Sequence, residues 1–418
     1  MKLYLTTEQQ RRSEEFQAFA ATHVAPHVAE WDSAQEIPRS AILDLGRAGY
    51  LGATLPTEYG GQDWDTVTFG LLNEALGRHD SAYTGFVTVH AMISMALLKW
   101  GTAAQRREWL PPLSRGEKIG AIALTEPAGG SDLNAMTTRF TRSGRGDELI
   151  LNGEKKWISG GQAADVFLIF GKVDEKPVAC LVPRESVGLE VEPIRNMLGF
   201  RAAGMAGLRF HDVPVPGANM VGKPGFAFSH VVPVAMHFGR ISTACSALGL
   251  LRGCFEESTT YAATRSAGAQ RIGDLGMIQS MIARMGVDLE ATKLLCWSAC
   301  RAKDEHRPES YTQALMAKYF SSRAAVRAAA DAIQIHGAAG CHESSPVARF
   351  FRASKIMEMI EGTTQVHEHI LGRGFVEEAA GRSRPDISHG SLCQRIGDRR
   401  LFDLVNLDQR LSRTAAHA

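Results

Sequence analysis

The chain lacks what several protein classes require. No apolar run reaches the roughly 18 residues that would cross a bilayer as a helix. The most apolar stretch, Gly85 to Trp100, carries His90 and Lys99 and reads as a core helix. Net charge is only +1, from 46 basic and 45 acidic residues. No global field therefore draws the chain to nucleic acid or an anionic membrane. The cysteines, at positions 180, 245, 254, 296, 300, 341 and 393, form no CxxC pair. An odd, scattered set in a long chain predicts reduced thiols of a cytoplasmic compartment rather than disulfide staples. The opening MKLYLTTEQQRRSEEFQ turns charged early and shows no secretory apolar segment. The 41 glycines follow no three-residue period, which excludes collagen. Neither a glycine-rich dinucleotide fingerprint nor a P-loop occurs, so any nucleotide cofactor is held in another way.

What is present is 418 residues, 44% of them hydrophobic, enough for several packed domains. Residues 1–118 read as helices. In the stretch from Glu8 to Glu30, Phe16, Phe19, Ala20, Val24 and Val28 recur at three- and four-residue steps. Further helical patterns follow Pro38 and run from Val67 to His79, Gly85 to Trp100 and Ala103 to Leu113. Near Ile119 the pattern changes to short β-type runs separated by turns, one of them Gly144-Arg145-Gly146-Asp147. That spacing predicts an antiparallel β-domain over 119–225. From 226 to 380 long helices return: Phe226–Ala263, a helix with Asp274 as its expected N-cap, Tyr311–His336, Pro346–Ile356 and Thr363–Ala380. Residues 381–418 form a polar, arginine-rich tail, expected to be solvated. The expected fold is a multidomain α+β protein: an N-terminal α-helical domain, a middle antiparallel β-domain and a C-terminal four-helix bundle.

Three separated segments carry chemistry. Leu124-Thr125-Glu-Pro-Ala-Gly129-Gly130-Ser131-Asp132 ends a β-run with two glycines and two hydroxyls, a turn able to hold a phosphate or the edge of a heterocycle. Trp157-Ile-Ser159 closes a strand with an aromatic wall and a donor. Met359-Ile-Glu361-Gly362-Thr363-Thr-Gln365 places a carboxylate between two helices, where burial would raise its pKa toward that of a general base. Gln334-Ile-His-Gly337 is a further glycine-rich helix end. His367-Glu-His369 is not read as a metal site, since residues two apart on a helix face different ways.

Together these segments resemble the acyl-CoA dehydrogenase family of flavoproteins. TEPAGGSD, NGEKKWISGG, the helix of Arg240, Arg265 with Gln279, QIHGAAG and the run from Arg352 to Gln365 occur in the expected order over about residues 5–380. The resemblance implies FAD as cofactor, with Leu124, Thr125, Gly130 and Ser131 along the flavin and Trp157 and Ser159 beside it. Arg265, Gln334 and Gly337 would reach the FAD of a neighbouring subunit, and Thr363 and Gln365 would contact the adenosine part of FAD. Glu361 matches the base that removes an α-proton from an acyl thioester. The enolate oxygen would be met by its own backbone N–H and a ribityl hydroxyl, and the β-hydrogen would leave as hydride to flavin N5. Ser131, His237, Gly239, Arg240 and Gly362 would lie along the substrate, with His237 near the pantetheine arm.

The implied partners are acyl-CoA or an acyl carrier protein, electron-transfer flavoprotein or a similar acceptor, and further copies of the chain in a homodimer or homotetramer. Some relatives carry the base just before the arginine matching Arg240. That slot is Gly239 here, which supports Glu361 and predicts extra room for a branched or substituted acyl group. The chain departs from the family at Arg265-Ser-Ala-Gly-Ala, where relatives have Gln and Phe, and also at Ala338 and Ile360. The competing readings are a flavin oxidase or monooxygenase on the same fold, and a binding protein without activity.

Overall fold

The computed structural model describes residues 5–144 and 146–381. The expectation for the polar tail, and for Cys393, falls outside them.

The N-terminal unit holds α1 (Thr7–His23), α2 (Val28–Ala34), α3 (Arg39–Arg47), α4 (Thr66–Gly77), α5 (Ser81–Trp100) and α6 (Ala103–Ser114). The single helix expected from Glu8 to Glu30 is two. A capping box between Thr6 and Gln9 starts α1, and the chain turns at Val24–His27, where Pro26 cannot continue the hydrogen-bond ladder. Every residue of α4 is buried and α5 is buried over most of its length, so both are central helices rather than amphipathic surface ones.

The middle unit is a sheet of β1 (Gly120–Ala123), β2 (Arg139–Arg142), β3 (Leu149–Ile158), β4 (Val166–Val173), β5 (Lys176–Pro183), β6 (Leu189–Pro193) and β7 (Ala206–Val215). The order is β1-β4-β2-β3-β7-β6, with β5 on β4. The expected antiparallel pairing holds for β2–β3, β3–β7, β4–β5 and β6–β7. β4, however, runs parallel to β1 and β2, so the sheet is mixed. A hairpin turn reverses the chain between β2 and β3, so β2 and β4 run the same way once β4 returns beside β2. β3 slips register between Lys155 and Ile158. That irregularity lets Trp157 leave the ladder with φ of 63°.

The C-terminal unit contains α7 (Val232–Thr264), a small hairpin of β8 (Ser266–Ala267) and β9 (Gln270–Arg271), α8 (Gly276–Asp304), α9 (Ser310–His336), α10 (Pro346–Met357) and α11 (Thr364–Ala379). Asp274 is not the cap of α8. That place is Leu275, which makes no side-chain bond, and Asp274 instead pairs with Arg271 at 3.5 Å. α5 and α7 are long and apolar enough to cross a membrane, yet 78% and 89% of their most apolar windows are buried inside the fold. They are core helices. Cys180, Cys245, Cys254, Cys296, Cys300 and Cys341 are free thiols, as the spacing implied. One apolar core runs from α1–α5 into α7–α10, and a second fills the sheet. All three units meet around a cavity.

Candidate active site

The cavity has a volume of about 510 Å³, within the range of small-molecule and cofactor sites. α5, α7, the turn after β1, the end of β3 and the α10–α11 connection contribute its walls.

The turn after β1 is held by a buried ion pair. Glu126 and Lys155 meet at 2.9 Å, and Lys155 Nζ also donates to the Leu124 carbonyl at 3.1 Å. The Glu126 carboxylate accepts from the backbone N–H and hydroxyl of both Thr137 and Thr138. Burial alone would push its pKa up. The Lys155 charge and these donors outweigh that and hold it at about 2. Leu124, Thr125, Gly130 and Ser131 therefore present a rigid edge to the cavity. Gly130 leaves room for Thr125: a Cβ there would lie 2.8 Å from the Thr125 hydroxyl and displace that side chain. Trp157 is 44% exposed and, with Ser159, lines the cavity. A large aromatic left open at an irregular strand end is a surface for a planar ligand, not a core residue.

The carboxylate lies at the end of the α10–α11 connection. Glu361 has φ of 55° and Gly362 φ of 99°, a left-handed pair that reverses the chain before Thr363 caps α11. The carbonyls of this turn are gripped from behind. Arg240 Nε and His367 Nε2 each donate to the Glu361 carbonyl at 3.2 Å. Lys318 Nζ donates to the Gly362 carbonyl at 2.7 Å and the Glu358 carbonyl at 3.3 Å. The Arg240 guanidinium lies 4.9 Å over the Tyr311 ring. With the backbone so held, the side chain points into the cavity, and its Oε2 is buried without a hydrogen-bond partner. Burial raises the Glu361 pKa to about 7, although the charges of Arg240 and Lys318 pull the other way. Burial likewise lowers Lys318, to about 7.

Of the residues singled out in the sequence, Leu124, Thr125, Gly130, Ser131, Trp157, Ser159, Glu361, Gly362 and Thr363 converge on this one cavity. Others do not. Arg265, Gln334, Gly337 and Gln365 are exposed and away from it. His237 lies behind the wall, 5.3 Å from the Tyr311 ring and edge-on to it. Burial and the nearby Lys303 and Arg240 charges keep its imidazole neutral. Arg240 supports the turn from behind rather than lining the cavity. Gly239 does not open space for a substituent: a Cβ there would stand 2.3 Å from Glu361 Oε2 and 2.8 Å from Met92 Sδ. The room left by the missing side chain is filled by the carboxylate itself.

Sequence reasoning passed over Glu126, Lys155, Lys318 and His367. Glu126 and Lys155 lie within TEPAGGSD and NGEKKWISGG, but neither motif shows that they pair, and Lys318 and His367 act on a turn that only the fold brings near. Among the described residues no group of side chains is placed to hold a metal, and His367 is occupied with Glu361.

A mixed β-domain between two helical units, with a cavity walled by an open indole and a buried carboxylate, defines a flavin oxidoreductase. The family models of acyl-CoA dehydrogenases match over most of the chain: the N-terminal domain at residues 6–117, the middle domain at 121–213 and the C-terminal domain at 229–376. The chain is 32% identical over 384 residues to a probable acyl-CoA dehydrogenase of Bacillus subtilis, covering 90% of this chain and all of the other. A glutaryl-CoA dehydrogenase from Mycobacterium smegmatis, solved in complex with FADH2, superposes with a TM-score of 0.85 at 27% identity, covering 92% of this chain and 97% of that one. The prolyl acyl carrier protein oxidase AnaB gives 0.84 at 26% identity, covering 89% and 99%. The chain belongs to the acyl-CoA dehydrogenase family.

Proposed function

We propose that the protein dehydrogenates an acyl thioester across its α and β carbons, with Glu361 as the base and FAD as the cofactor. The observation that carries this reading is Glu361 Oε2, buried and unpartnered in a cavity that Trp157 also lines. A carboxylate in that state has a proton affinity matched to neutral pH and no competing donor.

The residues present fit FAD. Leu124, Thr125, Gly130, Ser131, Trp157, Ser159 and Thr363 would hold it, the turn glycine and the indole offering a flat slot with hydroxyl donors at its edge. When bound, FAD supplies the acceptor for the β-hydrogen as hydride. Glu361 takes the α-proton onto its carboxylate, from a substrate lying between it and the flavin site. Arg240, His367 and Lys318 keep the Glu361–Gly362 backbone still while the carboxylate changes charge. The apolar wall of Val89, Met92, Ile122 and Met236 excludes water, so the proton is not lost to solvent. Arg265, Gln334 and Gly337, exposed on a single chain, would meet a neighbour's cofactor in a homodimer or homotetramer, and Gln365 the adenosine part. Electron-transfer flavoprotein or a similar carrier would then reoxidise the flavin.

The likeness to AnaB favours a second reading, with the thioester on an acyl carrier protein and oxygen as the oxidant. The test is anaerobic mixing of the FAD-loaded protein with acyl-CoA and acyl-carrier thioesters while watching the flavin's visible band. Bleaching with slow recovery in air supports the dehydrogenase. Rapid recovery with peroxide formation supports the oxidase. Glu361→Gln keeps the flavin and abolishes bleaching; a variant that still bleaches at the wild-type rate removes Glu361 from the mechanism.

A further inference from the structure

Beyond the carboxylate, the cavity floor is built of hydroxyl groups. α5 and α7 cross there in opposite directions, joined by two hydroxyl pairs: Thr88 Oγ1 to Ser242 Oγ at 2.5 Å and Thr84 Oγ1 to Ser246 Oγ at 2.6 Å. Ser81, Thr84, Thr88, Thr243 and Ser246 all line the cavity. Two of these side chains are buried with no partner for their oxygen, Ser81 Oγ and Thr243 Oγ1, at 3% and 2% exposure. Met92 and Gly239 mark the level of the Glu361 carboxylate. Four residues of helix at 1.5 Å each put Thr88 and Thr243 about 6 Å deeper, with Ser246 and Thr84 beyond. Among the described residues, those lining the cavity include no lysine or arginine, and Glu361 is its single acid.

A purely alkyl chain would leave the two orphan hydroxyls dry and unmet, an unfavourable burial. A carboxylate in the same place would find donors but no countercharge. The floor suits a neutral group that both donates and accepts. Resting on the dehydrogenase reading above, we propose that the acyl group carries a hydroxyl at or near its far end, received by Thr243 and, for longer chains, by Ser81.

The test compares three thioesters of equal carbon count: hexanoyl-CoA, its ω-hydroxyl analogue, and adipoyl-CoA. Binding is measured by calorimetry on FAD-loaded Glu361→Gln protein, and kcat/KM by flavin reduction on the wild type. The hydroxylated ester is expected to lead hexanoyl-CoA by roughly tenfold or more in both, with adipoyl-CoA last. Thr243→Val, which keeps the shape and removes the hydroxyl, should erase that lead mainly through KM. Ser81→Ala serves as the second variant and should weaken binding of longer hydroxylated chains. Equal or better binding of hexanoyl-CoA, adipoyl-CoA in first place, or a preference that survives Thr243→Val overturns the proposal. If no thioester reduces the flavin, the dehydrogenase reading falls, while the calorimetry still decides what the floor binds.

Discussion

Gly239→Ala separates catalysis from stability at a single methyl group. The new Cβ would stand 2.3 Å from Oε2 and 2.6 Å from Cδ of Glu361, and 2.8 Å from Met92 Sδ. Ordinary contacts need about 3.5 Å or more, so the carboxyl has to retreat by roughly 1 Å. Both obstructing groups are the far ends of flexible side chains, and α7 has a helical residue at 239 either way. Relief is therefore cheap for the fold, and alanine favours the helix over glycine by up to about 1 kcal/mol. The net stability change should lie within about 1 kcal/mol of zero. The base is less forgiving, since a misplacement of about 1 Å costs on the order of 100-fold in rate. Stopped-flow flavin reduction should thus slow by about two orders of magnitude, while the thermal midpoint and FAD content hardly move. A variant that reduces its flavin within twofold of the wild type would show that Glu361 does not need the space above Gly239. A variant that loses stability and rate together would show that the clash reaches the backbone.

Three more expectations follow from the same geometry. Lys155→Met leaves Glu126 buried without its cation and should cost about 3–5 kcal/mol in denaturant unfolding, with FAD retained less tightly because the Leu124–Ser131 turn loosens; an unchanged midpoint would deny the ion pair its role. Glu126, held at about 2 from a usual 4.5, contributes stability that is present above pH 4.5 and lost as pH falls toward 2. The acid limb of a stability–pH curve should flatten in Glu126→Gln. Glu361, raised to about 7, works as a base only when ionised, so kcat/KM should fall tenfold per unit as pH drops below about 7 and level off above it. Lys318, Arg240 and His367 face the same turn, and Lys318→Met should displace that profile. A flat profile from about pH 5 to 8 refutes the assignment.

Much of the fold was legible because helical periodicity and β-run spacing are local signals. The three-unit order, the core helix at Gly85–Trp100 and the converging TEPAGGSD, Trp157 and Glu361 segments were readable from pattern and resemblance. What escaped was set by contacts far apart in the chain. The parallel pairing of β4 with β1 and β2 joins segments far apart in the chain, which no strand encodes by itself. The cap of α8 turned on whether Asp274 paired with Arg271 or with the helix amides. Gly239 looked like vacant space from the sequence, but a residue 122 positions later fills it. Lys318 and His367 look like ordinary helix residues until the α10–α11 turn lies against them.

Glu361 is a left-handed, non-glycine residue whose carboxyl oxygen sits in the dark of the protein with nothing to bond. Each of those conditions works against the folded state, the conformation by roughly 1–2 kcal/mol. Glu361→Gly would lift both burdens at once, so the crippled enzyme should melt later than the working one. Selection for a sturdier molecule and selection for a faster one therefore pull on this position in opposite directions. A laboratory search for heat-resistant variants without an activity screen would be drawn to discard the very side chain proposed as the base.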